Sequence, residues 1–126
     1  IESLLTLLSS GDVVSIHVPL TESTRGLIDR TAIEAMSSDT ILVQTARGGV
    51  IDEDALVEAL RTGNLGGAAL DVFAEEPLTA ETGVRFIGVP NLRLTPHIAG
   101  ITIESNRRVS LVTAENVRRV LSQPTP

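Results

Sequence analysis

The stretch Thr40-Ile-Leu-Val-Gln-Thr-Ala-Arg47-Gly48-Gly49-Val-Ile-Asp52-Glu53-Asp54-Ala-Leu56-Val-Glu-Ala59-Leu60 decides the fold. An apolar run climbs to a lone cation, Arg47. Two glycines follow, then an acid-led helix signal. A short apolar run bounded by turn residues reads as a buried strand, here Thr40 to Thr45. Asp52 is a good helix N-cap, with Glu53 and Asp54 in the first turn, where the helix dipole favours anions. Leu56, Ala59 and Leu60 make the apolar stripe. Arg61 falls in the last turn, and Gly63 just past it is a stop signal. The stretch is strand, turn and helix, with Arg47 at the carboxyl tip of the strand.

The pattern repeats on either side. Upstream, Asp12 to Val18 is a β-branched run ended by Pro19, read as a buried strand. A polar loop from Pro19 to Thr24 follows. Asp29 or Thr31 then caps a short helix through Met36, and Thr31 with Glu34 has capping-box spacing. Downstream, Gly67 to Phe73 is a third strand and Leu92 to Thr95 a fourth. Ala74 to Pro90 between them reads as a long loop, a feature usually functional or mobile. Ile101 to Leu121 reads as a long helix capped by Thr102, with favourable Glu104–Arg108 and Glu115–Arg119 pairs. At the start, Leu4, Leu5 and Leu8 share a helical face that Gly11 can close. Ile1-Glu2-Ser3-Leu4-Leu5 begins mid-pattern without an upstream cap, so a chain cut from something longer is expected; Gln123 to Pro126 reads as a tail.

Strands alternating with helices predict an α/β domain with a parallel sheet. Every strand then ends at the same edge, and ligands bind in the crevice beyond it. Composition narrows the partners. The 126 residues carry a net charge of −6 and no basic block, which argues against nucleic acid or an anionic membrane surface. No apolar run nears the roughly 20 residues of a membrane span. The absence of cysteine excludes disulfides and thiolate chemistry and fits a cytoplasmic protein. Phe73 and Phe86 are the sole aromatics, too few for base stacking.

Four predicted strands each deliver an ionisable group to one edge: His17, Arg47, Asp71 and His97, with Glu76 in the loop above Asp71. Core packing gives no reason for such a set, since each group costs free energy if buried unpaired; mutual pairing or a ligand is expected. Arginine grips a planar carboxylate with two parallel hydrogen bonds. Histidine exchanges a proton near neutral pH, and a carboxylate beside a histidine favours its protonated form and fixes its tautomer. Such a cleft suits protonation of a carbonyl next to a carboxylate, or the reverse. A hydride would have to come from a cofactor. A metal held by His17, His97, Asp71 and Glu76 is disfavoured: H-x-x-x-H and H-E-x-x-H spacings are missing, and Arg47 would repel the cation. A serine triad lacks its G-x-S-x-G elbow.

His17-Val-Pro-Leu-Thr-Glu-Ser-Thr-Arg-Gly-Leu-Ile28, Thr45-Ala-Arg-Gly-Gly-Val-Ile-Asp52, Ala69-Leu-Asp-Val-Phe-Ala-Glu-Glu-Pro-Leu78 and Leu94-Thr-Pro-His-Ile-Ala-Gly100 together resemble the D-isomer-specific 2-hydroxyacid dehydrogenase family. The four segments are collinear with that family over essentially the whole chain. The resemblance implies a Rossmann-like parallel sheet, here partial: residues 1–126 as the C-terminal half of an NAD-binding domain, with residues 101–122 as a terminal helix returning toward a missing substrate domain. It implies Arg47 as the substrate-carboxylate clamp, His97 as the acid/base and Glu76, rather than Glu75, as the carboxylate that tunes it. Asp71 matches the aspartate beside the nicotinamide. Thr45, Ala46, Ala99 and Gly100 match neighbours of the cofactor, and His17, Val18, Pro19 and Thr24 do so more loosely. Gln44 stands where asparagine is usual, and Ile101 where the residue is often small.

The family's glycine-rich phosphate turn, G-x-G-x-x-G, is missing from the chain and is expected upstream. The implied parent is a cytoplasmic oxidoreductase moving a hydride between NAD or NADP, with NAD favoured and no metal, and a 2-hydroxy or 2-keto acid. The chain alone is expected to be inactive and to bind NAD weakly. Its uncovered surfaces suggest a homodimer. A non-enzymatic nucleotide-sensing or corepressor-like protein of the same fold stays open as the alternative.

Overall fold

The computed structural model describes residues 3–122. The mid-pattern start at Ile1-Glu2 and the Gln123–Pro126 tail lie outside them. The elements are α1 (Leu4–Ser10), β1 (Val13–Ile16), α2 (Arg30–Glu34), β2 (Ile41–Gln44), α3 (Glu53–Thr62), β3 (Gly67–Leu70), α4 (Ala80–Gly83), a 3-10 turn (Val84–Phe86), β4 (Leu92–Leu94) and α5 (Ile103–Leu121). The strands form one parallel sheet in the order β1-β2-β3-β4. Their carboxyl ends finish level, with Ile16, Gln44, Leu70 and Leu94 in register. No described helix is long and apolar enough to cross a membrane.

Local signals account for α3 well. The Asp52 carboxylate accepts from the Asp54 and Ala55 amides, and Gly63 ends the helix at φ 74°, a left-handed turn that glycine adopts without penalty. Between these caps, Ala55, Leu56, Val57, Ala59 and Leu60 are buried. Arg61 serves otherwise than the helix dipole suggests: its guanidinium donates to the carbonyls of Arg85 (3.1 Å) and Ile87 (3.5 Å). The core runs from Leu8 through Leu42, Val50 and Leu56 to Phe86, with Leu42, Val50 and Leu56 fully enclosed.

Several expectations need correction. The strands are shorter than their apolar runs, and β1, β2 and β4 are not buried on both faces. β1 alternates exposed and buried residues, Val13 and Ile41 are open to solvent, and β4 has no buried residue. Residues in register share a face, so Val14, Leu42 and Ala68 line a covered side while Val13 and Ile41 lie on an open one. The Ala74–Pro90 segment is not structureless: a reciprocal Thr79–Thr82 capping box starts α4, and the 3-10 turn brings Phe86 to Phe73, ring centroids 5.8 Å apart. α2 is capped by Asp29, whose side chain accepts the Ala32 amide, so a Thr31–Glu34 box is not used. Ser3 caps α1, and Gly11 ends it in an extended conformation; of Leu4, Leu5 and Leu8 only Leu8 is buried. α5 buries no side chain. Among the described residues its Glu104–Arg108 and Glu115–Arg119 pairs are not formed; Arg119 bonds Asn116 at 3.0 Å instead.

Gly48 is the closest packing constraint. A Cβ there would collide with the Phe73 carbonyl and the Ala74 nitrogen, whereas a Cβ on Gly83 would meet nothing. Gly48→Ala should therefore lower stability by about 3 kcal/mol through overpacking. Gly83→Ala should leave it unchanged or raise it by up to about 1 kcal/mol through helix propensity. Urea denaturation midpoints check the contrast, and equal midpoints for the two variants would contradict it.

Candidate active site

His17, Arg47, Asp71 and His97 all lie just beyond the level strand ends. Asp71 is the buried member, 3% exposed. A buried ionised carboxylate must find partners for both oxygens. The loop beyond β4 supplies them: the Thr95 hydroxyl and the Ile98 amide (2.9 Å) donate to Oδ1, and the Ala99 amide to Oδ2 at 2.8 Å. Burial pushes the Asp71 carboxyl up, but the Thr95, Ala99 and Ile98 hydrogen bonds outweigh it and hold the group below the usual carboxylate range. Residues 95–99 thus wrap around Asp71, and His97 sits in that wrap at φ 55°.

His97 Nδ1 meets Glu76 Oε2 at 2.7 Å, and Glu76 Oε1 accepts the Phe73 amide at 2.8 Å. The His97 and Phe73 hydrogen bonds hold the Glu76 carboxyl below its ordinary range, against burial and nearby Asp71. Glu76, and not Glu75, contacts the histidine. Because Nδ1 is engaged, Nε2 is the ring atom left to exchange a proton. The pair borders a cleft of about 610 Å³ whose walls include Phe73, Pro77, Leu78, Leu94 and Pro96.

Arg47 does not join this group. It lines a second cleft, of about 420 Å³, with His17, Val18, Pro19, Leu20 and Ala46. Among the described residues its side chain donates to the neighbouring Ala46 carbonyl (2.6 Å) and pairs with no carboxylate. The expected mutual pairing therefore holds only for Glu76 and His97; Asp71 is satisfied by a hydroxyl and two backbone amides, His17 bonds Ser15, and the Arg47 guanidinium folds back on its own turn. Buried Gln44 holds that turn, donating to the Arg47 carbonyl (2.9 Å) and accepting the Ala46 amide (3.1 Å). The glutamine in place of the usual asparagine leaves no unpaired amide.

The remaining expected positions are simply located. His17 is exposed, with Nε2 2.8 Å from the Ser15 hydroxyl. Thr24 staples its own loop, donating to the Pro19 carbonyl at 2.6 Å. Val18 and Ala46 pack against the core, while Thr45, Ala99, Gly100 and Ile101 are exposed. Sequence reasoning missed Thr95 and Glu53. Glu53 is only 8% exposed; its Oε1 accepts the Ala74 amide at 2.6 Å and its Oε2 lies 3.7 Å from Arg85. An acid in the first turn of a helix reads as a dipole partner, and nothing local reveals a contact 21 residues away.

Comparisons with known proteins agree with the fold. The family described as D-isomer specific 2-hydroxyacid dehydrogenase, NAD binding domain, matches residues 1–99. The chain is 56% identical over 120 residues to (S)-sulfolactate dehydrogenase of Chromohalobacter salexigens, covering 95% of this chain and 38% of that protein. It is 45% identical over 116 residues to hydroxypyruvate reductase of Thermotoga maritima, covering 92% and 38%. The chain thus spans less than two-fifths of the length of either relative. D-lactate dehydrogenase of Aquifex aeolicus, solved with NAD and lactic acid, superimposes with a TM-score of 0.83 at 33% identity, over 95% of this chain and 40% of that one.

The two depressed carboxyls set an acid limit on stability. Each stabilises the fold fully above its unfolded pKa, about 4, and loses that contribution as pH falls through the lower folded value. Asp71→Asn and Glu76→Gln should each flatten the fall in urea midpoint below about pH 4. A fall as steep as in the parent chain would show that neither carboxylate is held in this way.

Proposed function

The chain belongs to the D-isomer specific 2-hydroxyacid dehydrogenase, NAD binding domain family, and on that premise we propose that it is the catalytic-edge half of a cytoplasmic oxidoreductase acting on a 2-hydroxy acid/2-keto acid pair. The observation that carries the reading is the 2.7 Å Glu76–His97 pair bordering an open cleft at the carboxyl ends of parallel strands. The names of the relatives, a dehydrogenase and a reductase of small hydroxy and keto acids, support the substrate class. Arg47 grips the substrate carboxylate with two parallel hydrogen bonds. In the reducing direction His97 Nε2 gives its proton to the carbonyl oxygen; in the oxidising direction it takes the hydroxyl proton. Glu76 keeps the proton of Nδ1 in place and so aims the ring. Asp71 keeps the loop carrying His97 folded against the strand end.

NAD(P), with NAD favoured, supplies or accepts the hydride when bound. His17, Val18, Pro19, Thr24, Thr45 and Ala46 would hold it together with Ala99 and Gly100, on the loop that Asp71 anchors, and Arg47 and His97 would line the place where it meets the substrate. These residues fit the nicotinamide end: the cleft beside His17 and Ala46 is open, and the space beside Gly100 is empty. The chain has no G-x-G-x-x-G turn for the pyrophosphate, so the 1–126 span is proposed as part of a dinucleotide-binding domain. In that arrangement α5 leads toward the substrate domain. The exposed apolar residues of α5 support a homodimer.

In the protein carrying this chain, His97→Gln should lower kcat for NADH-dependent 2-keto acid reduction by roughly 100-fold or more. Arg47→Gln should act chiefly through KM for the keto acid. Turnover unchanged by His97→Gln, followed by NADH absorbance, would remove the proposed acid. By calorimetry, the isolated 126-residue chain should bind NADH no tighter than about millimolar, equivalent to about −4 kcal/mol. Low-micromolar affinity would contradict the partial-site reading.

A further inference from the structure

Two adjacent amides in the segment after β3 are held by two different carboxylates. Phe73 N–H goes to Glu76 at 2.8 Å, and Ala74 N–H to Glu53 at 2.6 Å. Phe73 C=O and Ala74 N–H belong to one planar peptide unit. Gly48 packs against that unit from the turn that carries Arg47. Glu53 itself is rooted in the first turn of α3, behind the Asp52 cap. We infer that Glu53 is a positioning residue: its carboxylate, by holding the Ala74 amide, sets the backbone that aims Glu76 at His97 Nδ1. The inference deepens the dehydrogenase reading and takes from it the role of His97.

The charged groups facing Glu53 are Arg85 at 3.7 Å, and Asp54 and Glu75 nearby. Burial pushes the Glu53 carboxyl up, opposed by the Ala74 amide and Arg85. A group with only a helix-dipole role would stand in water and depend on its charge; this one is enclosed and depends on its reach. One methylene less withdraws the oxygen by about 1.5 Å, enough to break a 2.6 Å bond. An amide of the same length keeps an acceptor in place.

The test compares Glu53→Asp with Glu53→Gln. Imidazole nitrogen NMR at alkaline pH reads the His97 tautomer, with His17 as internal reference. The parent chain and Glu53→Gln should both show the Nδ1–H tautomer, and Glu53→Asp the mixture of an unrestrained histidine. In the protein carrying this chain, Glu53→Asp should lower kcat for keto-acid reduction about 10-fold or more, with KM within about 2-fold, and Glu53→Gln should stay within about 2-fold in both. A parental tautomer signature in Glu53→Asp would overturn the inference, as would equal impairment of the two variants. The expected NMR contrast in a parent protein without turnover would support the inference and overturn the dehydrogenase reading instead.

Discussion

The site depends on one buried carboxylate. Asp71 directly follows β3 where solvent barely reaches it, and an unpartnered charge there would be several kcal/mol too costly to keep. Three donors from residues 95–99 resolve the problem. Their convergence turns the segment after β4 into a tight wrap. His97 is therefore placed by a neighbour's need for hydrogen bonds. The same economy recurs at β2, where the Gln44 amide closes the turn that presents Arg47.

The edge is divided between two clefts. One holds the Glu76–His97 pair among apolar walls, and the other holds Arg47 beside His17. Gly48, in the Arg47 turn, lies directly against the Phe73–Ala74 peptide from which Glu76 is hung. The two clefts are thus joined by backbone contact and not by an ion pair. That geometry explains how a cation and a histidine–carboxylate pair stand on one edge without the arginine neutralising the glutamate.

What the sequence makes legible follows the range of the forces involved. Asp52 and Gly63 were readable because a cap acts within four residues. The parallel sheet was readable from the alternation of strand and helix patterns. Glu76 was identified over Glu75 through family resemblance, and its contact with His97 spans 21 residues. The local position of Glu53 suggests a dipole partner, while its actual partner is an amide brought near by folding. α4 is hidden in the sequence because its capping box uses Thr79 and Thr82, and the usual signal ends in Glu or Gln. Apolar content does not tell which faces have something to lie against, and here one face is open along β1 and β2 while β3 is covered on both.

His97 sits at φ 55°, in the left-handed region, where a side chain with a Cβ costs roughly 1–2 kcal/mol and glycine or asparagine rests more easily. Neither replacement offers a ring nitrogen. Backbone comfort and the Glu76–His97 pair therefore pull this one position in opposite directions. The backbone at residue 97 is a standing record of which demand prevailed.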